Sequence, residues 1–159
     1  MTSKDFFLKF WDKEAPATRK VIERIPEGSN YRPDAKSRTA REIAWLIARE
    51  EAVLGEGLHK GQLEWAELPA PPTMKEVLAA YDRHHKEAST KLHALDAARW
   101  DARVPFMMGG EAVMNETGYD NAWGFLLDII HHRGQLSTYL RAMGSTVPQI
   151  YGPSADEPM

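Results

Sequence analysis

The stretch TGYDNAWGFLLDIIHHRGQLSTYLRAMG, residues 117–144, decides how the chain is read. Trp123, Leu126, Ile129, Ile130, Leu136, Leu140 and Met143 recur at steps that return to one side of a 3.6-residue period. Gly144 supplies a C-terminal stop, because glycine accepts the left-handed conformation that closes a helix. A second, polar ridge runs beside the apolar one: Phe125, Asp128, His132, Gln135 and Tyr139. Asp128 and His132 lie one turn apart, so a carboxylate and an imidazole project from the same side. That pairing suits a divalent ion, and it equally suits an Asp–His hydrogen bond or a solvated face. His131 is turned away from His132, so the two are not expected to share an ion.

Three more segments carry the same period. The second helix begins at Thr39, whose capping-box partner is Glu42, and runs through Ile43, Leu46, Ile47, Val53, Leu54 and Leu58 towards the glycines at 55–61. The third opens with Thr73 and Glu76 and buries Val77, Leu78, Tyr81, Ala88, Leu92 and Leu95. The first spans about Ser3 to Ile25, with Pro16 predicting a kink or break. Residues 99–116 carry neither period and are expected to form an extended crossover with a tight turn at Met107-Met-Gly-Gly. From about residue 145 the tail, Val147-Pro-Gln-Ile-Tyr-Gly-Pro, has too much proline to stay helical. The expected fold is all-α, an antiparallel four-helix bundle with a long crossover, formed as a single domain over 1–159.

Composition narrows the function. The 43% hydrophobic and 27% charged content is that of a globular chain. With no cysteine, disulfides, thiolate metal sites and cysteine nucleophiles are excluded. A net charge of −3 with scattered basic residues argues against nucleic acid as a partner. No apolar run approaches membrane-spanning length and no signal peptide is evident, so the expected location is cytoplasmic with no membrane partner. Glycine-rich phosphate loops and serine–base arrangements are not recognisable either.

Glu50 stands out because it interrupts the apolar stripe of the second helix, and a carboxylate there is costly unless paired or coordinated. An ion pair with an arginine such as Arg133 would satisfy it, as would a metal. His84 and His85 are read as hydrogen-bonded core residues.

His132-Arg-Gly-Gln135-Leu, Tyr139-Leu-Arg141, Gly144, Val147-Pro and Tyr151-Gly together resemble the C-terminal signature of the DinB-like (DinB/YfiT) superfamily, and Ile43-Ala-Trp-Leu-Ile-Ala resembles its second helix. The resemblance implies a four-helix bundle, often a homodimer, with a metal held by one histidine of the second helix and two of the fourth. It also implies an activity of the kind seen in metal-dependent thiol transferases or a thiol-dependent isomerase, although many members have no assigned activity. Carried over, His132 matches the last ligand, Asp128 stands where the preceding histidine would be, and Leu46 stands at the helix-two position. Glu50, one turn from Leu46, is the replacement ligand expected here.

The expected site is therefore Asp128, His132 and Glu50 around zinc, nickel or manganese, in a pocket lined by Leu46, Gln135 and Tyr139 that takes a small-molecule ligand. The alternative is a non-catalytic binding or structural homodimer whose metal site has decayed and holds no ion. Phe6, Trp11 and the tail around Tyr151 are expected to give a homodimer its apolar surface.

Overall fold

The computed structural model describes residues 1–159. Four long helices dominate: α1 (Ser3–Glu23), α2 (Ala40–Lys60), α3 (Met74–Ala94) and α5 (Gly118–Leu140), with a short α4 (Ala97–Asp101) before the crossover. Each of α1 and α2 packs against both α3 and α5. The capping boxes at Thr39/Glu42 and Thr73/Glu76 form as expected. Thr2 and Asp5 make a third, with aspartate where glutamate is the usual signal.

The purely α-helical expectation needs correction. Three strands, β1 (Leu63–Trp65), β2 (Arg103–Met108) and β3 (Glu111–Thr117), form a small sheet in the order β1-β2-β3. β1 runs parallel to β2, and β2 pairs antiparallel with β3. The expected tight turn is the hairpin between β2 and β3, where Gly109 and Gly110 take φ of +59° and +86°. Two consecutive positive φ values match the twist of the flanking strands. The strands escape a reading by alternation because β3 is exposed from Glu111 to Glu116 and β1 has only three residues.

Helix α1 runs unbroken through Pro16. Helix α2 continues past Gly55 to Lys60 and closes at Gly61, with φ +89°. Gly55 is a packing residue: a Cβ there would lie 2.5 Å from Ala88 Cα, so α2 and α3 meet backbone to backbone. The core gathers Phe7, Trp11, Val21 and Ile22 of α1 with Ile47, Leu54 and Leu58 of α2, Tyr81 and Leu92 of α3, and Leu126, Ile129 and Leu136 of α5. Trp11, expected at a dimer surface, is instead 1% exposed and stacks on Phe7 and His85; Phe6 and Tyr151 do remain exposed. No helix is long and apolar enough to cross a membrane.

Candidate metal centre

The site lies where α2 and α5 face each other. The 3.6-residue repeat of α5 places Asp128 and His132 on the flank turned towards α2, and Glu50 of α2 meets them there. His132 Nε2 is 3.5 Å from Asp128 Oδ2 and 3.9 Å from Glu50 Oε1. One donor atom from each of the three residues lies within 4.8 Å of the others. Separations of this kind suit N and O donors that each approach one ion to about 2.0–2.2 Å.

The electrostatics of the cluster point the same way. The Glu50 side chain is 6% exposed, and its Oε2 is buried with no hydrogen-bond partner. Burial, with the neighbouring Asp128 carboxylate adding to it, pushes the Glu50 pKa up to about 10. A carboxyl so placed must hold a proton or meet a cation. His132 is largely buried, and its Nδ1 sits 2.8 Å from Gln135 Oε1. In the tautomer that donates from Nδ1 to this oxygen, the Nε2 lone pair faces Glu50 and Asp128 and is available to an ion. Two acidic oxygens and one imidazole nitrogen thus converge, and the Arg38 guanidinium lining the same cleft offsets only part of the rise at Glu50. The residues present fit a divalent ion: two carboxylates balance its charge, and an oxygen-rich set suits harder metals as well as zinc.

A cleft of ≈ 820 Å³ opens over these donors. Leu46 lines it together with Phe125 of α5 and Phe106, Met108 and Met114 of the sheet. The sheet, which sequence reasoning missed, thus builds one wall. Gln135 and Tyr139 are not part of this cleft, which corrects the expectation. Gln135 stands behind His132 as its hydrogen-bond partner, and the Tyr139 hydroxyl donates to the Arg38 carbonyl at 3.2 Å. Both border a separate concavity of ≈ 440 Å³ with Lys36 and Ile43. His131 reaches the rim of the main cleft but is not among the three converging donors.

Arg133 does not pair with Glu50. It lies on the other flank of α5, where Nη1 donates to Glu14 Oε2 at 2.7 Å and Nη2 to the Tyr151 hydroxyl at 2.5 Å. Tyr151 in turn donates to Glu14 Oε2 at 2.8 Å. Sequence reasoning passed over Glu14, although it falls on the stripe Phe7, Trp11, Thr18, Val21 at helical steps. Glu51 is another buried acid. Its Oε2 meets His85 Nδ1 at 2.8 Å, and Ser89 Oγ, which accepts from Trp11 Nε1 at 2.8 Å, lies 3.3 Å from His85 Nε2. Burial works against protonation of His85, but Glu51, together with Asp12 and Asp82, outweighs it and leaves the imidazole pKa above its usual value. His84 Nδ1 meets the Ala48 carbonyl at 2.7 Å. Both histidines are hydrogen-bonded within the bundle, as expected.

Comparison with known proteins bears on this arrangement. The DinB family model matches residues 126–159, the span that holds Asp128, His132 and the tail. Over 96% of its length the chain is 28% identical to YrdA of Bacillus subtilis, an uncharacterised protein, of which the match covers 90%. In fold it resembles a DinB-like protein from Bacillus cereus, with a TM-score of 0.72, 19% identity and coverage of 91% of this chain and 95% of that one. It likewise resembles the DinB-like protein YjoA of Bacillus subtilis, with a TM-score of 0.70, 18% identity and coverage of 91% and 96%. The chain thus shares a C-terminal segment with the DinB family model, a nearly full-length similarity with YrdA, and its fold with two DinB-like proteins.

Proposed function

We propose that Glu50, Asp128 and His132 hold one divalent metal ion at the floor of the cleft, and that the protein uses it on a small molecule. The observation that carries this reading is the buried, partnerless Oε2 of Glu50 within the three-donor cluster. A bound ion there would polarise a substrate or lower the pKa of a coordinated thiol or water. Glu50 and Asp128 supply the compensating charge, and Gln135 orients the His132 ring. Phe106, Phe125 and Met114 give the cleft an apolar wall that would seat the body of the molecule and exclude water. The reaction class we assign is thiol or leaving-group transfer, which rests on the family resemblance. A homodimer and a cytoplasmic setting belong to the same proposal, with exposed Phe6 and Leu127 as the apolar surface for a second copy.

Metal analysis of untagged protein, after incubation with zinc, nickel or manganese, tests the reading. Near-stoichiometric metal is expected in the wild type, with loss in His132→Ala and Glu50→Gln. Gln135→Ala should weaken uptake by about 10–100-fold, the usual cost of losing an outer-shell partner. Wild-type protein that takes up none of the three metals would leave the decayed site as the better account.

A further inference from the structure

A second concavity, of ≈ 370 Å³, adjoins the cleft. Its walls come from Trp45 and Arg49 of α2 and from the segment following β1. Arg38, Leu46, Trp65 and Glu67 line both spaces, so the two are continuous. Arg49 is the anomaly. Its Nη2 donates to the Ala66 carbonyl at 2.9 Å, and its guanidinium carbon lies 5.3 Å from the Trp65 ring centroid. Its Nη1, however, is buried with no acceptor. A cationic donor shielded from water normally finds a partner.

The acids on the wall do not supply one. Glu42 Oε2 accepts from the Thr39 amide and hydroxyl, at 2.7 and 2.9 Å. Glu67 Oε1 accepts from Trp65 Nε1 at 3.1 Å. Trp45 Nε1 is likewise engaged, donating to the Leu68 carbonyl at 2.9 Å. Arg38, exposed at the junction of the two spaces, makes no ion pair. Arg49, with one guanidinium nitrogen lacking an acceptor, and Arg38 thus border the concavity together with the indoles of Trp45 and Trp65.

We propose that this concavity binds the carboxylate of a small organic acid, with Arg49 Nη1 and Arg38 as its cationic partners and Trp45 and Trp65 flanking its apolar body. A carboxylate fits better than a phosphate dianion, because Arg49 Nη2 is already engaged at the Ala66 carbonyl and Glu42 and Glu67 repel a second negative charge. A molecule anchored there would extend through the shared opening towards Glu50, Asp128 and His132. That last step rests on the metal-site reading; the carboxylate site itself does not.

The test uses the full chain, freed of metal with a chelator, and follows the indole N–H signals of its five tryptophans by NMR. Benzoate, benzamide and inorganic phosphate are the probes. Benzoate is expected to shift the Trp45 and Trp65 signals saturably, with benzamide and phosphate each about tenfold weaker or worse. Arg49→Gln should weaken benzoate by about tenfold, Arg49→Lys by less, and His132→Ala not at all. Equal binding of benzoate and benzamide, phosphate tighter than benzoate, or no saturable shift would overturn the proposal. These comparisons need no variant, so they decide the matter even if Arg49→Gln does not fold. Because every arm is metal-free, a failure here leaves metal uptake at His132 untouched, and a failure of metal uptake leaves this site standing.

Discussion

Glu14 and Glu50 are buried alike, each 5% exposed, and yet they are opposite in kind. Glu14 is closed off by Arg133 and the Tyr151 hydroxyl, so charge and hydrogen-bonding capacity are both met. Glu50 has Asp128 and His132 for neighbours, an oxygen without a partner and a pKa raised to about 10. A satisfied buried carboxylate ties elements together, here α1, α5 and the C-terminal tail. An unsatisfied one costs stability, and such a cost is expected where a site awaits a ligand. Helix α5 serves both regions through consecutive residues. His132 and Arg133 are about 100° apart around a helix, so each faces its own acid.

The largest effect should come from breaking the satisfied pair. Glu14→Ala leaves the Arg133 guanidinium buried without its carboxylate and should cost about 3–5 kcal/mol in urea unfolding. Replacing both members, as Glu14→Leu with Arg133→Met, should recover most of that loss, because an apolar pair of similar volume needs no partner. A single Glu14→Ala as stable as the wild type would mean that the two acids do not differ in the way described.

The unsatisfied acid should respond in the opposite direction. Glu50→Gln is expected to leave metal-free protein at least as stable as the wild type while abolishing metal uptake. Its pH dependence follows from the raised pKa. The unfolded chain ionises near the ordinary value of 4.5 and the folded chain only near 10. The folded state therefore binds the extra proton between these values, and metal-free stability should fall as pH rises through that window. Glu50→Gln should remove this component of the slope in unfolding measured from pH 5 to pH 9. An unchanged slope would show that Glu50 ionises as easily when folded as when unfolded.

The smallest effect is expected at an exposed acid. Glu56 meets Lys60 and Lys91, whose hydrogen bonds lower its pKa to about 2. A lowered carboxylate pKa contributes stability that is complete above about 4.5 and lost as pH falls towards 2. Solvent screens these pairs, so Glu56→Gln should change neutral-pH stability by no more than about 0.5 kcal/mol. Acid unfolding of the variant beside the wild type measures the difference, and a loss as large as that of Glu14→Ala would erase the contrast between buried and exposed acids.

Much of this was legible in the residues themselves. Apolar stripes at helical steps, with Thr39/Glu42 and Thr73/Glu76 as starts, specify the long helices because these signals are local: each depends on residues within one or two turns. The same locality put Asp128 and His132 on one side of α5 and marked Glu50 as a charge on an apolar stripe. The sheet was not legible, since β1 is short, β3 faces solvent, and the β1–β2 pairing joins residues 43 positions apart in the chain, such as Leu63 and Phe106. Nor could a stripe alone say which acid meets which cation. Glu14 and Glu50 occupy equivalent positions in their own helices, and only the packing of α1 and α2 on opposite flanks of α5 gives Arg133 to one and His132 to the other. Periodicity fixes which way a side chain points from its own helix; what it meets there depends on how the helices are assembled, which is decided by the sum of contacts over the whole core.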